Sequence, residues 1–116
     1  MSKRTYHPDR GDLVEINFQP AAGREIDKRR PAIVISPVTY NRKSGFCIAV
    51  PVTSSLEPGP LWIPLPGGYL PRPGLILCDY VKNFDYRERG ATFIAQVEPA
   101  LVDEIISVIM DVIDPR

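Results

Sequence analysis

The chain has 116 residues, 44% of them hydrophobic, and no apolar run as long as a membrane span. This fits one domain that buries a core without disulfides, and it sets aside disorder and membrane insertion. Net charge is zero, yet residues 1–45 carry nine Lys and Arg against five Asp and Glu, while residues 46–116 carry five against nine. A +4 half followed by a −4 half points to one basic face and an anionic partner.

The start, Met1-Ser2-Lys3-Arg4-Thr5-Tyr6, has charge with no apolar stretch after it, so no secretory signal is expected and the cytoplasm is the expected compartment. Asp12 to Phe18 alternates apolar and polar and predicts a strand with one solvated face. Gln19 to Arg30 is polar, carries Gly23 and predicts a long loop. Ala32 to Ile35 is continuously apolar and predicts a strand buried on both faces. Val38 to Gly45 predicts a turn or a short helical turn, and Phe46 to Val52 another buried strand. Leu61 to Leu65 alternates around Pro64, which lacks a ladder donor and places the segment at an edge. Pro66 to Gly74 is turn-rich, Leu75 to Cys78 is apolar, and Thr92 to Val97 alternates again. A helix follows. Pro99 stands at its first turn, and Val102, Ile105, Ile106, Ile109 and Ile113 recur every three or four residues. Asp103, Glu104 and Asp111 occupy its solvated side, and Asp114-Pro115 ends it. Short strands punctuated by 13 prolines and eight glycines, with one capping helix, predict a mainly β domain. The architecture expected is a small, partly closed SH3-like barrel with a C-terminal α-helix.

Cys47 and Cys78 lie in apolar segments and read as buried free thiols. The only histidine, His7, lies in the N-terminal tail, so no metal site and no Cys–His pair is expected. No cofactor is expected either. Residues 23–31, Gly-Arg-Glu-Ile-Asp-Lys-Arg-Arg-Pro, place four cations close together. Lys and Arg gain affinity for phosphates by counterion release, and a loop can follow an RNA backbone. Arg30 precedes Pro31, which biases it to extended geometry at the mouth of a strand. Its planar donor fork fits a phosphate. Thr53 ends the Phe46–Val52 strand and offers a hydroxyl. Tyr40, Phe84 and Tyr86 are candidate base-stacking residues, whereas Trp62 reads as packing.

Residues 28–37 (Lys-Arg-Arg-Pro-Ala-Ile-Val-Ile-Ser-Pro), Val50-Pro51-Val52-Thr53-Ser54, Gly11-Asp12-Leu13-Val14 and Asp79-Tyr80-Val81-Lys82 stand in one order along nearly the whole chain. Together they resemble the MazF/PemK family of toxin endoribonucleases. The resemblance implies a CcdB/PemK-type barrel and a catalytic set of Arg30, Thr53 and, in the spacing Glu-x-x-x-x-Arg-Pro, Glu25. It implies RNA-binding roles for Arg24, Lys28, Arg29 and Lys82. The implied reaction is metal-independent attack of a ribose 2′-hydroxyl on the adjacent phosphorus of single-stranded RNA. The implied partners are a second copy of the chain and a MazE-like antitoxin with a disordered acidic segment. Arg29 beside the catalytic arginine, and the Pro58-Gly59-Pro60 and Leu70-Pro71-Arg72-Pro73 loops, depart from the family pattern.

Two rival readings differ in class. A CcdB-like gyrase poison acts through a Trp near its C-terminus, but this chain ends Asp111-Val112-Ile113-Asp114-Pro115-Arg116 and its only Trp is Trp62. A catalytically silent module of the same fold, binding nucleic acid or protein, is distinguished by incubating the protein with a long RNA and mapping cuts.

Overall fold

A computed structural model describes residues 5–18, 29–54, 57 and 59–116. The elements run β1 (Asp12–Asn17), β2 (Arg29–Val34), α1 (Val38–Ser44), β3 (Phe46–Thr53), β4 (Trp62–Pro64), β5 (Leu75–Leu77), β6 (Lys82–Asp85), β7 (Thr92–Gln96) and α2 (Pro99–Ile113). All pairings are antiparallel, in the order β4-β5-β3-β2-β1-β7, with β6 added to β3. Among the described residues nothing joins the path's ends at β4 and β7, so the barrel is only partly closed. Pro64 lies in the end strand, where a missing donor costs no ladder bond.

Strand alternation divides the core in two. Leu13, Ile33, Val50, Val52 and Ile76 face one side and pack against Leu101, Val102, Ile105 and Ile109 of α2. Val14, Ile16, Ala32, Val34, Cys47, Ala49 and Phe84 face the other. Each fully buried aliphatic side chain contributes about 1.5–3 kcal/mol, so both faces must stay covered. The solvated face expected for the first strand is therefore wrong over its first half. α2 covers Leu13, and Asp12 is itself buried at 5% exposure, accepting hydrogen bonds from Tyr6 Oη at 2.6 Å and Gln96 Nε2 at 3.2 Å.

β2 begins earlier than the hydropathy predicts. Arg29 and Arg30 were expected in a loop, but they pair with Asn17 and Ile16 of β1. α1 is a true helix of seven residues ending on Gly45, whose φ of 79° favours glycine. β6 carries Lys82, Asn83 and Asp85 around one buried Phe84, too polar a run to read as a strand. In α2 the stripe holds through Ile109, while Ile113 is 68% exposed in the final turn.

β3 is the strand on which the sheet divides. One edge pairs with β2. On the other edge, Phe46–Ala49 pair with β6 and Val52–Thr53 pair with β5. Val50 and Pro51 pair with neither, and Pro51 has no N–H to offer. The sheet therefore forks at Pro51, just before Thr53.

Candidate active site

Register brings Arg30 and Thr53 together. β2 and β3 pair Val34 with Ala49, Ile33 with Val50 and Ala32 with Pro51. Continuing that register by two residues sets Arg30 opposite Thr53. Period-two alternation puts Arg30 on the same face as Ala32 and Val34, and Thr53 on the same face as Ala49 and Pro51. Arg30 is exposed and Thr53 half-buried. Among the described residues the Arg30 guanidinium has no hydrogen-bond or ion-pair partner within the chain. A fixed cation at a strand end with its donor fork unspent is suited to an anion from outside.

Two clefts meet at this pair. The first, of ≈ 410 Å³, runs from Glu15 and Arg29 past Thr53 and Ser54 to the 70–74 loop. The second, of ≈ 380 Å³, occupies the fork and is lined by Phe18, Pro51, Leu77, Tyr80, Lys82 and Phe84. Arg30 and Thr53 line both. One cleft is edged by charge and the other by aromatic rings, so an extended strand crossing the pair meets different surroundings on its two sides.

The remaining candidate residues divide. Glu25, Arg24 and Lys28 lie outside the described residues. Lys82 lines the fork cleft with its Nζ 5.8 Å from the centre of the Phe84 ring. Arg29 is held inside the chain. Its Nε donates to Glu15 Oε1 at 3.0 Å, and its Nη2 donates to Gly90 O at 2.8 Å, Glu15 O at 3.2 Å and Thr92 Oγ1 at 3.3 Å. That geometry makes it a brace tying β1 and the β6–β7 turn beneath Arg30. Glu15, the described carboxylate of the first cleft, is committed to that brace.

Several residues of the site escaped the sequence reading. Arg72 lines the first cleft between Pro71 and Pro73, whose fixed φ angles stiffen its loop. Gly74 lets that loop approach β3: a Cβ there would lie 2.8 Å from Val52 Cγ1 and 3.4 Å from Thr53 O. Tyr80, 56% exposed, and Phe18 edge the fork cleft. The alternation of Asp12–Phe18 was the available signal for Phe18, and the Asp79-Tyr80-Val81-Lys82 motif for Tyr80.

The remaining named residues take these positions. Asp79 accepts from Trp62 Nε1 at 3.1 Å, in keeping with Trp62 as a packing residue. Tyr86 is 3% exposed and does not present a stacking face. Cys47 and Cys78 are free and buried. Burial pushes the Cys47 thiol up to about 12 and the Cys78 thiol up to about 11. Both stay protonated near neutral pH and are poor nucleophiles. Among the described residues no three His, Cys, Asp or Glu side chains gather as a metal site would require. Among the described residues no helix is long and apolar enough to cross a membrane.

The chain is similar to known proteins in sequence and in fold. The family model of PemK-like, MazF-like toxins of type II toxin–antitoxin systems matches residues 9–113. The endoribonuclease toxin MazF of Escherichia coli K12 is 43% identical over 94 residues, spanning 81% of this chain and 83% of that protein. The endoribonuclease PemK of Escherichia coli is 25% identical over 107 residues, spanning 90% of this chain and 80% of that one. Among solved structures, MazF of Deinococcus radiodurans superposes with a TM-score of 0.81 at 37% identity, over 94% of this chain and 98% of its own. The MazE–MazF complex of the same organism also gives 0.81, at 32% identity over 95% and 98%.

Proposed function

Because the chain belongs to the PemK-like, MazF-like toxins of type II toxin–antitoxin systems, we propose that Arg30 and Thr53 are the centre at which it cuts single-stranded RNA. It is an endoribonuclease toxin, like its relatives. The observation that carries the assignment is the cross-strand register that sets Arg30 opposite Thr53 where two clefts meet.

The reaction is an internal phosphoryl transfer. The ribose 2′-oxygen bonds to the adjacent phosphorus as the bond from phosphorus to the 5′-oxygen breaks. The 2′-hydroxyl gives up a proton, the leaving 5′-oxygen gains one, and the products are a 2′,3′-cyclic phosphate and a 5′-hydroxyl. Three things are needed: an acceptor for the first proton, a donor for the second and a counter to the extra phosphoryl charge. Arg30 supplies the last through its unspent fork. Thr53 donates a hydrogen bond to a non-bridging oxygen. Glu25 is assigned the 2′-hydroxyl proton on its spacing to Arg30. Arg24, Lys28 and Lys82 hold flanking phosphates, and Arg29 positions the strand that carries Arg30. Charge on the phosphoryl group is met by side chains, so cleavage is metal-independent.

The enzyme works as a sequence-selective, ribosome-independent nuclease in the cytoplasm. It forms a homodimer, for which Phe93, Val112 and Ile113, each at least half exposed, offer apolar surface to bury. A MazE-like antitoxin silences it by laying a disordered acidic segment along the cationic groove.

The test is cleavage of one RNA by each variant, with termini identified by mass spectrometry. Arg30→Ala abolishes cutting while leaving the fold intact. Arg30→Lys recovers little, because an ammonium lacks the planar fork. Thr53→Ala loses activity less completely, and EDTA has no effect. A fully active Arg30→Ala, or 5′-phosphate ends from a metal-dependent cut, would refute the assignment.

A further inference from the structure

A third cleft, of ≈ 440 Å³, opens at the far end of β3. Its lining brings together His7 from before β1, Arg42 and Lys43 from the last turn of α1, Phe46 at the start of β3, and Arg87 from the turn after β6. Thr53 ends the same strand, so seven residue steps, roughly 23 Å at strand rise, separate this cleft from the reacting pair.

The lining has the chemistry of a nucleotide site. Among the described residues Arg42, Lys43 and Arg87 have no ion pair or side-chain hydrogen bond within the chain. Two carboxylates share the cleft, but Asp85 accepts from the Glu88 backbone N–H at 3.1 Å, and neither pairs with the three cations. Phe46 is 39% exposed and presents an aromatic face among these cations. Cations interleaved with an aromatic ring are how proteins hold single-stranded nucleic acid.

His7 is anchored at the cleft, its Nδ1 2.8 Å from Tyr86 Oη. The Tyr86 hydroxyl spends its one hydrogen on Asn41 O at 3.0 Å. Its oxygen therefore accepts from His7 Nδ1–H, which fixes the imidazole at the edge of the cleft. Three cations beside an exposed aromatic ring suit a ligand that brings both a phosphate and a base, as RNA does, whereas an acidic peptide brings the anion without the base.

We propose that the cleft formed by His7, Arg42, Lys43, Phe46 and Arg87 is a second nucleotide subsite. It takes a phosphate and a base of the same RNA strand, remote from the phosphate being cut. The proposal rests on the reading that Arg30 and Thr53 are the cutting centre. At roughly 3.4 Å per stacked nucleotide, the strand reaches it about seven nucleotides from the scissile bond. The subsite anchors long RNA and leaves the chemical step alone, so it acts on KM.

The test compares two RNAs with the same mapped cut site. One is confined to about five nucleotides and the other is extended by about ten on each side, enough to span both clefts. Arg42→Ala/Arg87→Ala raises KM for the long RNA about tenfold and lowers its salt slope by about 0.7 for each phosphate left without its cation. Its kinetics on the short RNA match those of the unmodified protein and certify the fold. Abasic distal nucleotides also weaken the long RNA, because Phe46 loses its stacking partner. An unchanged KM and slope on the long RNA overturns the proposal, as does weakened binding of an acidic antitoxin peptide with RNA unaffected. Should the double variant fail to fold, 4-thiouridine cross-linking of long RNA to the unmodified protein decides: an adduct on His7 or Phe46 supports the subsite, and no adduct within the cleft overturns it. Arg30→Ala that still cuts both RNAs refutes the cutting centre, a result separate from the ratio of long to short.

Discussion

Replacing Arg29 by Ala separates a structural cation from a substrate-binding one. Arg29 spends its guanidinium on one carboxylate, two carbonyl oxygens and one hydroxyl, at 2.8 to 3.3 Å. The ion pair with Glu15 is partly exposed, at 28% and 45% for the two side chains, so solvent screening keeps it well below the value of a buried pair. The carbonyls lose a charged donor, but water can reach them. These contributions sum to about 1–2 kcal/mol. At about 4 °C per kcal/mol the melting temperature falls by about 4–8 °C. The assay is calorimetry paired with RNA affinity measured across a salt series. Stability drops while the salt slope holds. A melting temperature unchanged within about a degree, with the slope reduced by about 0.7, would refute the brace and return Arg29 to the phosphate-binding set.

Asn41→Ala removes a fully buried side chain that donates to Pro8 O at 2.7 Å and Ser36 O at 3.0 Å and accepts from Ser36 Oγ at 2.6 Å. Orphaning these groups costs about 3–5 kcal/mol, read as a lower denaturant midpoint with unchanged slope. Alkaline stability is a second check. Thiols ionise near 9.0 when unfolded, while folded Cys47 and Cys78 hold their protons to about 12 and 11. Above pH 9 the unfolded chain binds fewer protons, so stability is full below that pH and declines as pH rises toward the folded values. Cys47→Ala/Cys78→Ala therefore gives a flatter melting temperature between pH 9 and 10 than the unmodified chain, and equal slopes would count against this. Gly74→Ala drives a methyl group against Val52 and the Thr53 carbonyl, displacing the loop that carries Arg72. Its kcat falls at least about tenfold, with a stability cost of about 1–3 kcal/mol, and unaltered kinetics would show that the loop's approach is immaterial.

The parts of this fold legible from sequence are those decided by local pattern. The buried runs of β2 and β3, the edge position of Pro64 and the stripe of α2 through Ile109 follow from alternation, a missing donor and helical spacing. What stayed hidden depends on partners far along the chain. Arg29 becomes a brace only because Gly90 and Thr92 arrive from more than 60 residues away. His7 is fixed by Tyr86 across 79 residues. β6 is a strand because β3 offers it an edge, which its polar sequence does not announce. Arg30 and Thr53 were visible as types at strand ends, yet only the fold brings both to the lining of the same two clefts.

The fork in β3 also bears on how such an enzyme can diversify. Arg30 stands on β2, paired with Ile16 of β1, and Thr53 on β3, which pairs with β2 over Ala49–Pro51. The walls of the apolar cleft stand on separate prongs, Lys82 and Phe84 on β6 and Leu77 at the end of β5. A substitution or insertion on one prong changes what the cleft accepts without disturbing the strand pair that aligns the guanidinium with the hydroxyl. On the proposed assignment the reacting pair stands on β2 and β3 and the outer walls of the cleft on β5 and β6, so mutation of those walls leaves the pair in place.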